Sequence, residues 1–163
     1  FIHADVQRKS KMDSTSLLMS WQEQSLILSV YIDHLSDQSK SNVLSKQVLR
    51  GRRTGGFDAN TKITKQTSQT EADQSSKALL LSETAQIHSK PHLEIYSDDL
   101  SASHGSTVGE LDQQAISYLL SRGISHEKAK AILISAFWRE TINTIEIKEH
   151  QDNILRILGE DYE

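Results

Sequence analysis

Short apolar runs separated by polar stretches make up the first two thirds of the chain. The runs are rich in β-branched residues, and Ser, Thr, Asn, Asp and Gln fill the stretches between them, which is typical of strands broken by turns. Hairpins would place strands closer together and use Asn-Gly or Asp-Gly turns, and neither dipeptide occurs. The pattern predicts a stacked solenoid of short strands or a β-sandwich and leaves both open. Successive apolar runs are marked by Val43, Phe57, Leu79, Leu93 and Val108.

The apolar positions change to helical spacing after Asp112. Asp112 is placed to cap a first helix, Gly123 to end it in a left-handed conformation, and Ser125 to cap a second helix. We predict a β-solenoid or sandwich core over 1–111 and a C-terminal unit of two or three helices over 112–163, with a break around 148–152. The predicted apolar stripes are Ala115, Ile116, Leu119 and Leu120, then Ala129, Ile132, Leu133, Ala136 and Phe137, then Ile142, Ile145, Ile154, Leu155 and Leu158.

Composition and charge exclude several kinds of protein. The formal net charge is −4 at pH 7, so no overall positive field attracts nucleic acid. Because the chain has no cysteine, it cannot form a disulfide or hold zinc or an iron–sulfur cluster with its own thiolates. No apolar stretch approaches the roughly 20 residues that cross a bilayer, and no secretory pattern is present. We expect a cytoplasmic protein, or a stromal one in a plastid-bearing source, that binds no membrane. Since Phe1 is not methionine, we also expect the chain to be a fragment.

Most residue groups that could carry chemistry have a simpler interpretation. The basic run Arg50–Arg53 favours a solvated loop, since G-R-R-T-G-G lacks the Gly-Lys-Ser/Thr ending of a phosphate-binding loop. His88 and His92 flank a proline, which we expect to form a turn that prevents a metal pair. Asp98 and Asp99 are adjacent and favour a solvated turn over an acid–base pair. Four other histidines are interpreted as ordinary surface or turn residues: His3, His34, His126 and His150.

The stretch Ser103–Gly109, S-H-G-S-T-V-G, contains the strongest candidate residue. His104 is accompanied by Gly105 and Gly109, which allow the backbone to approach another group closely. A neutral imidazole can bind iron or carry protons near neutral pH. Residue chemistry alone nevertheless favours a turn residue at this position over a functional one.

The order of residues from Thr70 to Asp112 resembles the SufB/SufD family of iron–sulfur cluster assembly scaffolds. This stretch reads TEADQSSKALLLSETAQIHSKPHLEIYSDDLSASHGSTVGELD, with a proline-led LEI run and an H-G-x-T segment. YLLSRGI (Tyr118–Ile124) and AKAILISAF (Ala129–Phe137) continue the similarity in the same order. H-G-S-T followed by V-G is similar to SufD-like members, whereas SufB proteins tend to carry H-E-A-T. The similarity is strong over roughly 56–137 and fainter upstream.

The resemblance implies a right-handed parallel β-helix followed by a small C-terminal helical domain, which would decide between solenoid and sandwich. It also implies two partners, a SufB-like scaffold at the C-terminal end of the β-helix and a SufC-like ATPase on the helices. Carried over by position, the SufB- or self-interface would include Leu93, Ile95, Tyr96, Ser103 and Thr107. The SufC-docking residues would be Tyr118, Arg122, Gly123 and Phe137.

His104 is the position that matches the family histidine implicated at the SufB–SufD interface, beside a SufB cysteine where a nascent cluster is thought to form. The implied role is that of a metal ligand, with thiolate from SufB and imidazole from His104. No cofactor would stay bound permanently; an iron–sulfur cluster would be transient, ATP would bind only to SufC, and contact with a flavin is left open. Some relatives carry cysteine two residues earlier, where this chain has Ala102.

A non-enzymatic scaffold subunit of a SufBCD-type complex is therefore the expected function, and two alternatives are kept. A carbohydrate-active parallel β-helix would need paired carboxylates and aromatic side chains that stack on sugars, and the chain has only three Phe, four Tyr and two Trp. A structural homodimer without chemistry would join two solenoids edge to edge, and self-pairing could also occur when SufB is absent.

Overall fold

The computed structural model describes residues 1–20 and 25–160. Within these residues the chain forms eight strands followed by three helices. The strands are β1 (Ile2–Val6), β2 (Lys11–Ser20), β3 (Leu26–His34), β4 (Lys40–Leu49), β5 (Thr54–Ile63), β6 (Thr70–Leu80), β7 (Gln86–Ile95) and β8 (Leu100–Gly109). The helices are α1 (Gln113–Ser121), α2 (His126–Ile142) and α3 (Lys148–Glu160). None of these helices is long and apolar enough to span a membrane.

The strands form two parallel sheets, and each coil of chain adds one strand to each sheet. One sheet has the order β1-β3-β5-β7 and the other the order β2-β4-β6-β8. Each strand pairs with the second strand after it along the chain, as in Ile2 with Val30 and Thr54 with Gln86. Apolar runs that follow one another in the sequence therefore lie in opposite sheets of the solenoid. A parallel β-solenoid is confirmed, because a sandwich would pair its strands antiparallel.

Alternate residues of each strand point into the solenoid and form its core. Equivalent positions stack in register from coil to coil, so each inward position continues a column along the solenoid. The main apolar cluster lies between the two sheets, with Phe57 and Ala59 of β5 fully buried. The other buried members of this cluster are Val6, Val30, Ile32 and Val43.

The same corner of three successive coils is built by residues in the left-handed backbone region. Lys9, Gln38 and Gln69 have φ values of 57°, 57° and 51°. The Gln38 amide donates a hydrogen bond to Oε1 of Gln69 at 2.8 Å, which ties two coils together. The Gln69 backbone N–H donates in turn to a carboxylate oxygen of Asp99 at 3.2 Å. Asp99 therefore has a structural role at this corner, in agreement with the predicted turn.

The last strand of the first sheet contains Pro91 without a break. The N–H groups of Gln86 and Tyr96 donate to carbonyls of the preceding coil at 2.7 and 2.9 Å. In a parallel strand the backbone N–H and C=O groups of successive residues point to opposite edges. The backbone groups of even-numbered β7 residues therefore bond to β5, and those of odd-numbered residues point to the free edge. Pro91 stands at an edge-facing position, where its missing N–H breaks no bond to β5. The expected proline turn is therefore wrong.

The helical unit begins at Glu110, after the solenoid unit Phe1–Gly109. The predicted caps are confirmed: the Asp112 carboxylate accepts N–H bonds from two residues of α1, Gly123 has a φ of 80°, and the Ser125 hydroxyl accepts the N–H of Lys128. The predicted break at 148–152 is wrong, because the interruption lies at 143–147. The Thr144 hydroxyl donates to the carbonyl of Thr141 at 2.8 Å and closes the end of α2 locally.

Candidate site at the open end of the solenoid

The solenoid ends at β7 and β8, which are the terminal strands of the two sheets. We call the ends of these strands and their inward side chains the open end. The β8 residues Leu100, Ala102, His104, Ser106 and Val108 stand in register with inward-facing residues of β6, while their other edge pairs with no described strand. Apolar side chains remain accessible there, since Ile95 is 46% exposed and Val108 is 50% exposed.

His104 is the middle one of the inward-facing residues of β8. Its register partner is the buried Gln74 of β6, so the imidazole lies where the next coil of a longer solenoid would cover it. The N–H of Thr70 donates to the carbonyl of Asp99 at 3.4 Å. The backbone N–H and C=O groups of odd-numbered β8 residues therefore bond to β6. Even-numbered residues therefore direct their backbone groups to the free edge. Among the described residues, His104 thus presents both its side chain and an unpaired peptide group at the open end.

The segment around His104 is a strand, so the expected glycine turn is wrong. Gly105 pairs in register with Ser75, and Gly109 pairs with Leu79. No described atom lies within 4 Å of the place where a Cβ would stand on either glycine. The absence of a side chain at Gly105 and Gly109 therefore serves no packing within the described residues, and it leaves open the face of β8 opposite to the His104 imidazole.

The residues predicted for the partner interface divide between two faces. Leu93 and Ile95 stand at inward positions of β7 and share the open end with His104. Tyr96 follows β7 directly and is 53% exposed. Ser103 and Thr107 point outward from β8, and the Ser103 hydroxyl donates to the Asp73 carboxylate at 2.5 Å. The structure thus brings two of the five to the interior rim with His104.

Histidines 88 and 92 lie on the outer face of β7, and both are exposed. Four residues of strand separate their Cα atoms by about 13 Å, too far for one metal ion. A different group, which the sequence did not suggest, brings three ligand atoms within 4.8 Å of one another: His3, Asp5 and Asp33. The His3 Nε2 lies 3.2 Å from Asp33 and 3.9 Å from Asp5, and a hydrogen bond between the His3 imidazole and the Asp33 carboxylate at this half-exposed surface accounts for the contact.

The prediction that His34 lies at the surface is wrong, because its side chain is fully buried. Ser39 Oγ donates to the Ser36 carbonyl at 2.9 Å, so His34 Nδ1–H must donate to Ser39 Oγ at 2.7 Å. In the neutral imidazole, Nε2 then accepts from Ser41 Oγ at 2.8 Å. Burial lowers the pKa of His34 below 6.5, and the neighbouring Asp33 carboxylate opposes this shift. The sequence does carry a signal for this burial, because His34 shares the inward parity of Val30 and Ile32.

The buried neutral His34 predicts an acid-dependent loss of stability. Above pH 6.5 the folded and unfolded chains both hold this imidazole neutral. Below it the unfolded chain binds a proton that the folded chain refuses, so the free energy of unfolding falls by up to about 1.4 kcal/mol per pH unit until the lowered pKa is reached. Chemical denaturation between pH 8 and 5 measures this slope, and His34→Gln should flatten it. The exposed-site control His88→Gln should retain it, and equal slopes in both variants would contradict the assignment.

Of the four helical residues predicted to meet a partner, three are exposed and Phe137 is half-buried. Tyr118 is 58% exposed, and the Arg122 guanidinium lies 5.2 Å from the centre of its ring. Gly123 ends α1 next to them, while Phe137 of α2 is half-buried. The predicted stripe of α2 is rotated from the observed one. The buried residues of α2 are Ala129, Ile134, Trp138, Thr141 and Ile142.

The basic run is a structural loop between β4 and β5, as predicted. The Arg53 guanidinium folds back and donates to the carbonyl of Arg50 and to that of Ser20. Gly51 has a φ of 80°, and its backbone exchanges hydrogen bonds with the Ser82 hydroxyl. The conformation of the loop thus depends on Arg53 and the following coil.

Comparison with known proteins agrees with this architecture. The SufBD core domain of the SUF system for FeS cluster assembly matches residues 4–137. The chain is 29% identical over 130 residues to an iron–sulfur cluster assembly protein SufD of Escherichia coli, which covers 80% of this chain and 31% of that protein. It is 29% identical over 146 residues to a Bacillus subtilis SufD, which covers 90% of this chain and 33% of the relative.

A third relative is the chloroplastic protein ABCI7 of Arabidopsis thaliana, 36% identical over 96 residues that cover 59% of this chain and 20% of that protein. The chain thus spans about a third or less of the length of these relatives. The domain match covers most of the solenoid, the first helix and much of the second. This chain belongs to the SufB/SufD family of iron–sulfur cluster assembly proteins and is SufD-like.

Proposed function

We propose that this chain is part of a scaffold subunit on which an iron–sulfur cluster is assembled at an interface with a second solenoid. The observation that carries the proposal is the position of His104, which offers an imidazole and a peptide group unpaired among the described residues at the open end. A SufB-like scaffold would cover this end and contribute the thiolates that a chain without cysteine cannot supply. The cluster is then a transient cargo, with His104 as one of its ligands.

The chemistry of the open end supports a protein partner. Accessible apolar side chains such as Ile95 and Val108 are joined there by strand edges that pair with no described strand, and strand addition satisfies both the backbone groups and the apolar surface. A second copy of this chain could meet the same requirements when the SufB-like partner is absent. The subunit itself acts as a scaffold rather than an enzyme and works in the cytoplasm or in an organelle stroma.

The helical unit is proposed to bind a SufC-like ATPase, which would supply ATP binding to the complex. Tyr118 of α1 and Arg122, the residue that caps its C-terminus, both lie exposed, with the guanidinium over the tyrosine ring. Tyrosine and arginine are the residue types enriched among interface anchors. The aromatic ring gives buried contact area, and the guanidinium gives directed hydrogen bonds to the partner. This surface requires no cofactor on the present chain.

Co-purification tests both contacts. The full-length protein that contains this chain, expressed with SufB-like and SufC-like partners, should recover both in one complex. Tyr118→Ala combined with Arg122→Ala should reduce the recovery of the ATPase by about tenfold or more, a loss typical of interface anchors. The matched control Glu127→Ala removes an exposed side chain of α2 and should leave recovery unchanged. Undiminished recovery with the double variant would contradict docking at this surface.

A further inference from the structure

Among the buried side-chain oxygens that have no hydrogen-bond partner in the described residues, five lie within the middle parts of strands near the open end. They occupy inward positions of β4, β6 and β7, and each atom is shielded from solvent. The four side chains that β4 and β6 contribute are each at most 3% exposed. The atoms are Ser45 Oγ, Gln47 Oε1, Gln74 Oε1, Ser76 Oγ and Ser89 Oγ. Leaving one such group unpaired costs folding free energy, so a cluster of five requires an explanation.

The serines belong to a column that follows the axis of the solenoid. Ser16, Ser45, Ser76 and Ser106 are successive register partners on β2, β4, β6 and β8. Neighbouring strands lie about 4.8 Å apart, too far for direct contact between stacked hydroxyls. One water molecule at about 2.8 Å from each of two hydroxyls spans that separation at a bond angle near the tetrahedral one. The repeat of the solenoid therefore matches a row of single bridging water molecules.

The two glutamines define which ligand fits. Gln47 donates its amide to the carbonyl of Gly56 at 2.8 Å, and Gln74 donates its amide to the Thr61 hydroxyl at 2.7 Å. Both amide groups are thus oriented, and their Oε1 atoms are left as acceptors. A ligand here must donate to two amide oxygens and also exchange hydrogen bonds with hydroxyls. Water meets both needs, whereas an anion would be repelled by the amide oxygens.

We propose that the last coils of the solenoid bind a row of water molecules along the serine column, and that the row opens to solvent at Ser106 beside His104. Ser106 and His104 are exposed neighbours on the inward column of β8, and Gln74 lies in register beneath His104. Water in the row can therefore exchange through the open end. If the proposed function holds, a bound SufB-like partner closes this exit and traps the row.

Thermal unfolding of single-serine variants tests the row, because the sign of the change depends on hydration. Removing a dry, unpaired hydroxyl raises Tm, whereas removing one that binds water lowers it. Ser45→Ala and Ser76→Ala should each lower Tm by several degrees, while Ser101→Ala, on the exposed outward face of β8, should not change it. An unchanged or raised Tm in both buried variants would overturn the proposal.

Oxygen-17 relaxation dispersion on the wild-type protein gives a second measure that needs no variant. It should detect long-lived internal water that Ser76→Ala reduces, and its absence from the wild type would also overturn the proposal. The residence time should lengthen when the SufB-like partner is added. A row that is present but exchanges equally fast in the complex would contradict the placement of the partner, and not the row itself.

Discussion

His104→Ala is expected to reduce iron–sulfur cluster formation on the assembled complex by about 10- to 100-fold, the size of effect that weakened metal ligation has in other proteins. No hydrogen bond to the His104 side chain occurs among the described residues, and the side chain is exposed on the last strand of its sheet. The substitution therefore removes the proposed ligand without removing a contact that holds the fold. Assembly with the SufB-like and SufC-like partners should persist, because the backbone edge of β8 is unchanged.

The measurement is the rate at which the complex acquires iron and sulfide, followed by visible absorption and by chemical analysis. His88→Ala is the matched control, since it removes an exposed histidine from the outer face of β7, the last strand of the other sheet. A complex that forms normally but gains clusters at the wild-type rate with His104→Ala would rule out the ligand role. Loss of the complex itself would instead show that His104 acts in pairing.

Phe57→Ala should lower the free energy of unfolding by about 3 to 5 kcal/mol. Phe57 is fully buried within the main apolar cluster, between the two sheets, and its loss leaves a cavity that stacked strands cannot close. Such a change is a large part of the roughly 5 to 15 kcal/mol that stabilises a typical domain. The effect is a loss of stability that should appear without any change in the partner surfaces.

Phe1→Ala provides the comparison for this substitution. Phe1 is 84% exposed, and its ring lies tilted against that of Tyr31 with ring centres 5.5 Å apart, so its removal should cost at most about 1 kcal/mol. Urea denaturation of the three proteins gives both values. A similar loss for the two phenylalanines would show that the region around Phe57 repacks or is loosely packed.

The architecture was largely predictable because every coil of a solenoid repeats the same arrangement of two strands. Alternation within strands and the recurrence of apolar runs follow from two strands per coil, and the caps of the helices follow from local chemistry at Asp112 and Ser125. The residues alone could not separate a solenoid from a sandwich, since both bury one face of each strand. That choice depended on the family resemblance, and it is confirmed by the parallel register.

The wrong predictions concern residues whose position in a strand or helix outweighs their residue type. His34 has inward parity and is buried, while Pro91 occupies the edge-facing side of β7, where a missing N–H is harmless. The buried face of α2 differs from the predicted stripe, because Ile134 and Trp138 are buried and Ile132 is exposed. The buried glutamines and serines gave no signal, because polar residues in a strand ordinarily indicate a solvated face.

The two edges of the open end offer different numbers of hydrogen bonds. Along β8 every edge-facing residue from Leu100 to Val108 retains its N–H, whereas along β7 the central edge-facing residue is Pro91. An added strand can therefore pair with β8 along its whole length, while beside β7 it lacks the hydrogen bond that the N–H of residue 91 would donate. If the solenoid continues into another chain, the second sheet can therefore form more hydrogen bonds across the junction than the first, and these bonds lie next to His104.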